Sequence, residues 1–199
     1  MTPKTLNKAR RELLKCDYLG PVVKEHGKCV IDVEKSDPFD TLISSIISQQ
    51  LSVKAAATIE SRVRKLAGKQ FRPTKLLKIS SEDLRGCGLS TRKTEYVLGI
   101  ADAVKRRKLN FKKLVDASDE EVTQKLVELR GVGQWTAEMF MIFSLGRMDV
   151  FSVLDVGLQR GMRILFGDEA CDLQAMTTLA ERWQPYRSVA SWYLWKVVD

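Results

Sequence analysis

Apolar residues recur at helical spacing along almost the whole chain, and no stretch alternates apolar with polar as a half-buried strand would. Asp37-Pro38 reads as an N-cap followed by a first-turn proline. Phe39, Leu42, Ile43, Ile46 and Ile47 then mark one face of a helix. Residues 53–67 set Ala56, Ile59, Val63 and Leu66 against Lys54, Arg62, Arg64 and Lys65, and a third helix runs from about Arg92 with Tyr96, Val97, Ile100 and Val104 inward. Ser118 and Glu121 form a capping box ahead of Val122, Leu126 and Leu129. Residues 134–145, 156–166, 174–183 and 186–197 complete the set. The expected fold class is all-α, and 199 residues suffice for one domain or two small lobes sharing a core.

Hydrophobic residues at 44% and charged residues at 29% are ordinary for a globular protein. No apolar run approaches the roughly 20 residues a membrane helix needs, and the polar start MTPKTLNKARRELLK lacks a signal-peptide stretch. The expectation is no membrane and no secretion, hence a cytoplasmic or nucleoid-associated protein, or a nuclear one. Cys16, Cys29, Cys87 and Cys171 are scattered, which argues against a disulfide framework, a zinc finger or an iron–sulfur cluster. With one histidine, His26, and no glycine-rich nucleotide loop, neither a metal site nor a nucleotide cofactor is expected.

Charge is the first positive indication. The net charge is +8, and within residues 54–93 eleven basic groups face only Glu60, Glu82 and Asp83. Such a local surplus suits a polyanion partner, and it equally suits a solvated helical face. The run Lys105–Lys108 reads most simply as a helix C-terminus complementing the macrodipole.

One octamer recurs: Leu84-Arg85-Gly86-Cys87-Gly88-Leu89-Ser90-Thr91 is echoed by Leu129-Arg130-Gly131-Val132-Gly133-Gln134-Trp135-Thr136. Two copies do not make a solenoid, and chance accounts for them as well. The second copy is the sharper. Between two helices it gives a tight turn that exposes backbone N–H groups of the next helix, an arrangement able to take a DNA phosphate. The plainer reading is that Gly131 and Gly133 end one helix and begin another. Asp155, 22 residues after Gly133, precedes an amphipathic helix and reads by default as its N-cap.

Four ordered segments carry a resemblance: Ser48-Gln49-Gln50-Leu51-Ser52, the hairpin Leu129–Ala137, Asp149–Asp155, and Trp183-Gln184-Pro185-Tyr186-Arg187-Ser188-Val189-Ala190 leading to Leu194-Trp195. Together they resemble the helix-hairpin-helix superfamily of DNA glycosylases, in its 3-methyladenine DNA glycosylase II branch. The resemblance implies two helical lobes with a DNA-facing cleft between them, 38–147 carrying the hairpin and 1–37 with 148–199 carrying the catalytic aspartate. It implies hydrolysis of the N-glycosidic bond of alkylated purines, 3-methyladenine and 7-methylguanine, in double-stranded DNA by a monomer.

Residue by residue, Asp155 falls on the family's catalytic aspartate. Trp135 stands where the bifunctional glycosylase/lyases keep a lysine, which implies no strand cleavage. Trp195 matches an aromatic of the base pocket, to which Trp135 and Met139 are also assigned. Gly131, Val132, Gly133, Gln134 and Thr136 match the DNA-binding hairpin. Gln50 and Leu51 lie where relatives push a side chain into the gap left by the displaced nucleotide. Arg187 and Ser188 match a motif without an assigned role. Leu154 replaces a frequent acid, and Met139 an aromatic expected one turn after Trp135. A monovalent cation held by hairpin carbonyls is the one ion the resemblance allows. The rival reading is a non-catalytic helix-hairpin-helix module, which explains the charge and the hairpin but leaves Asp155 and Trp195 unused. Excision of uracil or oxidised bases is a second enzymatic reading, for which no lysine or polar base-reading set is found. Trp183 and Trp192 read as core.

Overall fold

The computed structural model describes residues 1–31 and 37–198. Residues 32–36, in the first segment of the expected 1–37 lobe, and residue 199 lie outside the described residues. Every regular element among the described residues is a helix. The chain divides into two compact units, Met1–Lys35 with Met141–Asp199, and Ser36–Phe140.

The first unit begins with α1 (Pro3–Leu13), opened by a reciprocal cap between Thr2 and Thr5, and α2 (Gly20–His26), which ends at Gly27 with φ +70°. Neither stands out in the sequence reading.

The second unit follows. α3 (Pro38–Ser48) starts as expected, with the Asp37 carboxylate accepting from the Asp40 N–H at 2.9 Å. Its Phe39, Leu42, Ile43, Ile46 and Ile47 are all buried. Each isoleucine costs a few tenths of a kcal/mol in helix propensity, against about 1.5–3 kcal/mol for burying the side chain, so tertiary packing decides. α4 (Val53–Ala67) is capped by Ser52. Its Arg64 is held by Asp40 at 2.8 Å and Glu60 at 2.6 Å and lies over the Phe71 ring, so one of the eleven basic groups of residues 54–93 is turned to structure. The short α5 (Pro73–Leu76) and α6 (Ser81–Gly86) lead to α7 (Thr91–Lys105), capped by Ser90. α8 (Phe111–Val115) precedes α9 (Asp119–Val127), whose Ser118–Glu121 capping box forms as read. α10 (Gln134–Phe140) closes the unit.

The run 134–145, read as one helix, changes character at its middle: Met141–Leu145 is a π-helix and belongs to the first unit. That unit continues with α11 (Val156–Phe166), α12 (Leu173–Ala180) and α13 (Arg187–Val198). α11 and α13 approach closely at Gly161, where a Cβ would lie 2.8 Å from the Leu194 carbonyl oxygen. Trp183 is core, with Phe166 at 6.0 Å and Phe151 at 6.4 Å between ring centroids. Trp192 is only partly buried, edge-on to Tyr193.

The octamer echo does not survive as geometry. In the first copy Gly88 takes the positive φ, +106°, and the helix starts at Thr91. In the second Gly131 takes it, +89°, and the helix starts at Gln134. The two turns are out of register, so the shared letters do not describe a repeated hairpin.

Candidate active site and nucleic-acid interface

In the first unit, Asp155 is the N-cap of α11, as its default reading has it: Oδ1 accepts from the Leu158 N–H at 2.8 Å. The same oxygen accepts from the Trp195 indole Nε1–H at 3.0 Å, from α13. The cap therefore does not exhaust the residue, and a helix N-terminus is a favourable place for a negative charge. Gly157 makes the approach of Trp195 to Asp155 feasible. A Cβ there would sit 3.1 Å from Asp155 Oδ1 and 3.1 Å from Trp195 Cδ1. One face of the indole is stacked on Phe143 of the π-helix, with centroids 5.7 Å apart. Single π turns inside helices recur at functional sites.

The segment leading to Asp155 is anchored by the two residues to which no role was assigned. Arg187 grips Asp149 through Nε to Oδ1 at 2.8 Å and Nη2 to Oδ2 at 3.0 Å, a bidentate charge-assisted pair. The Ser188 hydroxyl accepts from the Val150 N–H at 2.9 Å. α13 thus holds this segment near its start with Arg187 and Ser188 and at its end with Trp195.

In the second unit the hairpin lies between α9 and α10. Gly131 must be glycine on two counts: its φ is +89°, and a Cβ would overlap the Tyr96 ring of α7. Gly133 differs. Its φ is outside the left-handed region, and a Cβ there would meet nothing within 4 Å. Gly133 and Gln134 are exposed, so the turn presents open backbone at the start of α10. Val132 and Thr136, assigned to DNA contact in the sequence, turn inward. Val132 is 5% exposed and Thr136 2%, so both side chains are withdrawn from solvent, and the Val132 N–H is spent on the Leu129 carbonyl at 3.1 Å.

Gln49 reaches the hairpin from the other side. Its Nε2 donates to the Gly131 carbonyl at 2.9 Å and to Thr136 Oγ1 at 3.1 Å. Lys93 in turn donates to the Ile47 and Gln49 carbonyls at 2.7 and 2.6 Å. Gln50, at φ +56°, and Leu51, 39% exposed, follow directly. Gln49, Gln50, Lys93, Gly131 and Gly133 border a cavity of about 410 Å³ whose rim also carries Ser90 and Arg92 at the start of α7. Trp135 is half-buried on α10, and Met139 is buried on the same helix.

Sequence reasoning missed Gly157, Phe143, Lys93 and the side-chain role of Gln49. Gly157 follows an N-cap aspartate by two positions and Phe143 follows Met139 by one helical turn, signals that were available. The contacts of Gln49 span 82 and 87 residues and left no local trace. The remaining candidates stay outside both sites: Cys29 is buried with its thiol pushed up to about 11 by desolvation, and His26 is exposed at the end of α2. Among the described residues no group of three or more His, Cys, Asp or Glu is placed to hold a metal ion, and no helix is long and apolar enough to cross a membrane.

Residues 43–185 match the model of the HhH-GPD superfamily of base excision DNA repair proteins. Among solved structures, the chain is similar to a DNA-3-methyladenine glycosidase from Bacillus halodurans, at 41% identity and TM-score 0.81, covering 94% of this chain and 88% of that one. It is similar to a Schizosaccharomyces pombe 3-methyladenine DNA glycosylase in complex with abasic DNA, at 32% identity and TM-score 0.84, covering 95% of each. A DNA-3-methyladenine glycosylase of Saccharomyces cerevisiae is 32% identical over 199 residues, 82% of this chain and 67% of that one. The chain spans about two thirds of the length of several curated relatives.

Proposed function

Because this chain belongs to the HhH-GPD superfamily of base excision DNA repair proteins, we propose that it is a monofunctional DNA glycosylase that hydrolyses the N-glycosidic bond of alkylated purines. The observation that carries the reading is the Asp155 carboxylate, fixed at the start of α11 by the Leu158 N–H and the Trp195 indole, with glycine at 157 leaving room for both. A DNA-holding module has no use for that arrangement.

The target nucleotide must leave the duplex before its C1′ can be reached. Methylation at N3 or N7 places positive charge on the base, so the C1′–N bond breaks with its electron pair going to the base and little acid assistance is needed. Charge then develops on the sugar. The Asp155 carboxylate stabilises that cation electrostatically and orients the water whose oxygen bonds C1′, the water's proton passing to the carboxylate or to solvent. Trp195 supplies an indole for a cationic base and an N–H that holds the carboxylate. The hairpin's outward N–H groups at Gly133 and Gln134 take a backbone phosphate, and Gln50 with Leu51 fills the vacated stack.

A monovalent cation would find acceptors in the hairpin main chain. The Leu129 carbonyl accepts from the Val132 N–H and the Gly131 carbonyl from Gln49, each keeping a second lone pair. These carbonyls would hold the ion, which would supply positive charge toward a phosphate.

The test is a duplex carrying 7-methylguanine. Free 7-methylguanine is expected, with strand breaks only after alkali, and no covalent adduct on borohydride treatment because Trp135 cannot form a Schiff base. Absence of base release overturns the glycosylase reading, and a trapped adduct overturns its monofunctional part.

A further inference from the structure

Gln49 is held at both ends. Its carbonyl, together with that of Ile47, accepts from the Lys93 ammonium at 2.6 and 2.7 Å. These are orphan carbonyls at the end of α3, where a cation completes the hydrogen bonding and complements the helix dipole. Burial pulls the Lys93 ammonium below its ordinary value, as expected for a charge committed to an internal contact. The other end of Gln49, the amide Nε2, reaches across to the Gly131 carbonyl and Thr136 Oγ1. α7 touches the hairpin itself one turn after Lys93, where the Tyr96 ring occupies the space a Cβ at Gly131 would need.

The next residue, Gln50, has φ +56°, a conformation that side chains rarely adopt and that persists only where the surroundings over-determine it. The over-determination is visible: Lys93 pins the carbonyl before Gln50, and the Ser48 carbonyl accepts from the Leu51 N–H just after it, at 3.2 Å. The strained step holds Leu51 partly exposed, followed by Val53 at 88% exposure.

We propose that Gln49, clamped by Lys93, is a positioning residue that joins the phosphate-gripping hairpin to the Gln50–Leu51 step, so that a seated phosphate sets the place at which the nucleotide is displaced. The inference rests on the glycosylase reading for the roles of hairpin and loop. Both elements keep their own chemistry without Gln49; what they lose is registration with one another.

The test uses the full chain and a duplex in which a stable tetrahydrofuran abasic analogue sits beside 2-aminopurine, so that loop insertion is read as fluorescence with no base release. Gln49→Met keeps the side chain's length and removes both donors. Its affinity for undamaged duplex and its salt slope are expected to change by less than about twofold, since the phosphate contacts remain. Most of the fluorescence rise is expected to disappear. Leu51→Ala loses the rise too, and the combined variant is expected to be no worse than Leu51→Ala alone, the non-additivity of residues acting through one another. Lys93→Met, which frees the other end of Gln49, is expected to repeat the pattern and serves where Gln49→Met folds poorly. Losses that multiply independently, or undamaged-duplex affinity that falls in parallel with the fluorescence, overturn the coupling. A wild-type chain that shows the coupling yet releases no base supports it and overturns only the glycosylase reading.

Discussion

A methyl group at position 157 would press on Asp155 Oδ1 and on the indole edge of Trp195 at once, each 3.1 Å away. Alanine is otherwise the better helix residue by roughly 0.5–1 kcal/mol, so Gly157→Ala should not lower stability through the backbone. Its single-turnover excision rate is expected to fall at least about tenfold while the thermal midpoint holds, as misplacing a catalytic group costs rate steeply. A wild-type rate would show that the Trp195–Asp155 contact does not matter. Trp195 carries two separable effects. Trp195→Phe keeps a ring and removes the N–H donated to Asp155, a hydrogen bond to a charged group worth about 1.5–3 kcal/mol. Excision of 3-methyladenine, 7-methylguanine and hypoxanthine should therefore slow by similar factors. Trp195→Ala removes the stacking face as well, with a further loss of about 0.5–2 kcal/mol for the two cationic bases only. Equal further loss on all three substrates in Trp195→Ala would mean that the ring is pocket wall and does not sense charge. At this scale the Asp155 cap was legible from its place ahead of an amphipathic helix, whereas its bond from Trp195 spans 40 residues and left no local trace. For Val132 and Thr136 the motif gave membership in the hairpin but not that both side chains face inward.

Elements were legible in proportion to their length and periodicity. α3, α7, α9 and α11 each carry an apolar stripe and a capping residue within the sequence window that reveals them. α5, α6 and α8, of 4, 6 and 5 residues, are too short to show a period. The π-helix Met141–Leu145 was hidden because its composition is that of any buried helix. Within the hairpin the two glycines are not equivalent, and the difference is testable. Gly131 is fixed by φ and by Tyr96, whereas Gly133 faces open space. Gly133→Val should fold normally and bind both damaged and undamaged duplex about tenfold more weakly, because a branched side chain stands where a phosphate would approach the backbone. Fluorescence anisotropy at two salt concentrations checks it. A loss confined to damaged DNA would place Gly133 at the base rather than at the phosphate.

For the whole molecule, the uneven charge hinted at a polyanion, but the structure qualifies the count: Arg64 is committed to Asp40 and Glu60, and Lys93 to backbone carbonyls. On the proposed function the two compact units divide the chemistry. Ser36–Phe140 carries the hairpin, Gln50 and Leu51; the other unit carries Asp155, Trp195 and the Arg187 anchor. Binding and bond cleavage should accordingly separate under mutation, and Asp155→Asn separates them most directly. Asparagine is as good an N-cap as aspartate and can still accept from Leu158 and Trp195, so fold and site geometry are retained and only the charge is lost. Asp155→Asn is expected to bind abasic-analogue DNA within about threefold of wild type, with 7-methylguanine release lowered by about a hundredfold or more in single turnover, because an interaction made in the transition state is removed. A folded Asp155→Asn protein that releases 7-methylguanine at the wild-type rate would end the catalytic assignment of Asp155.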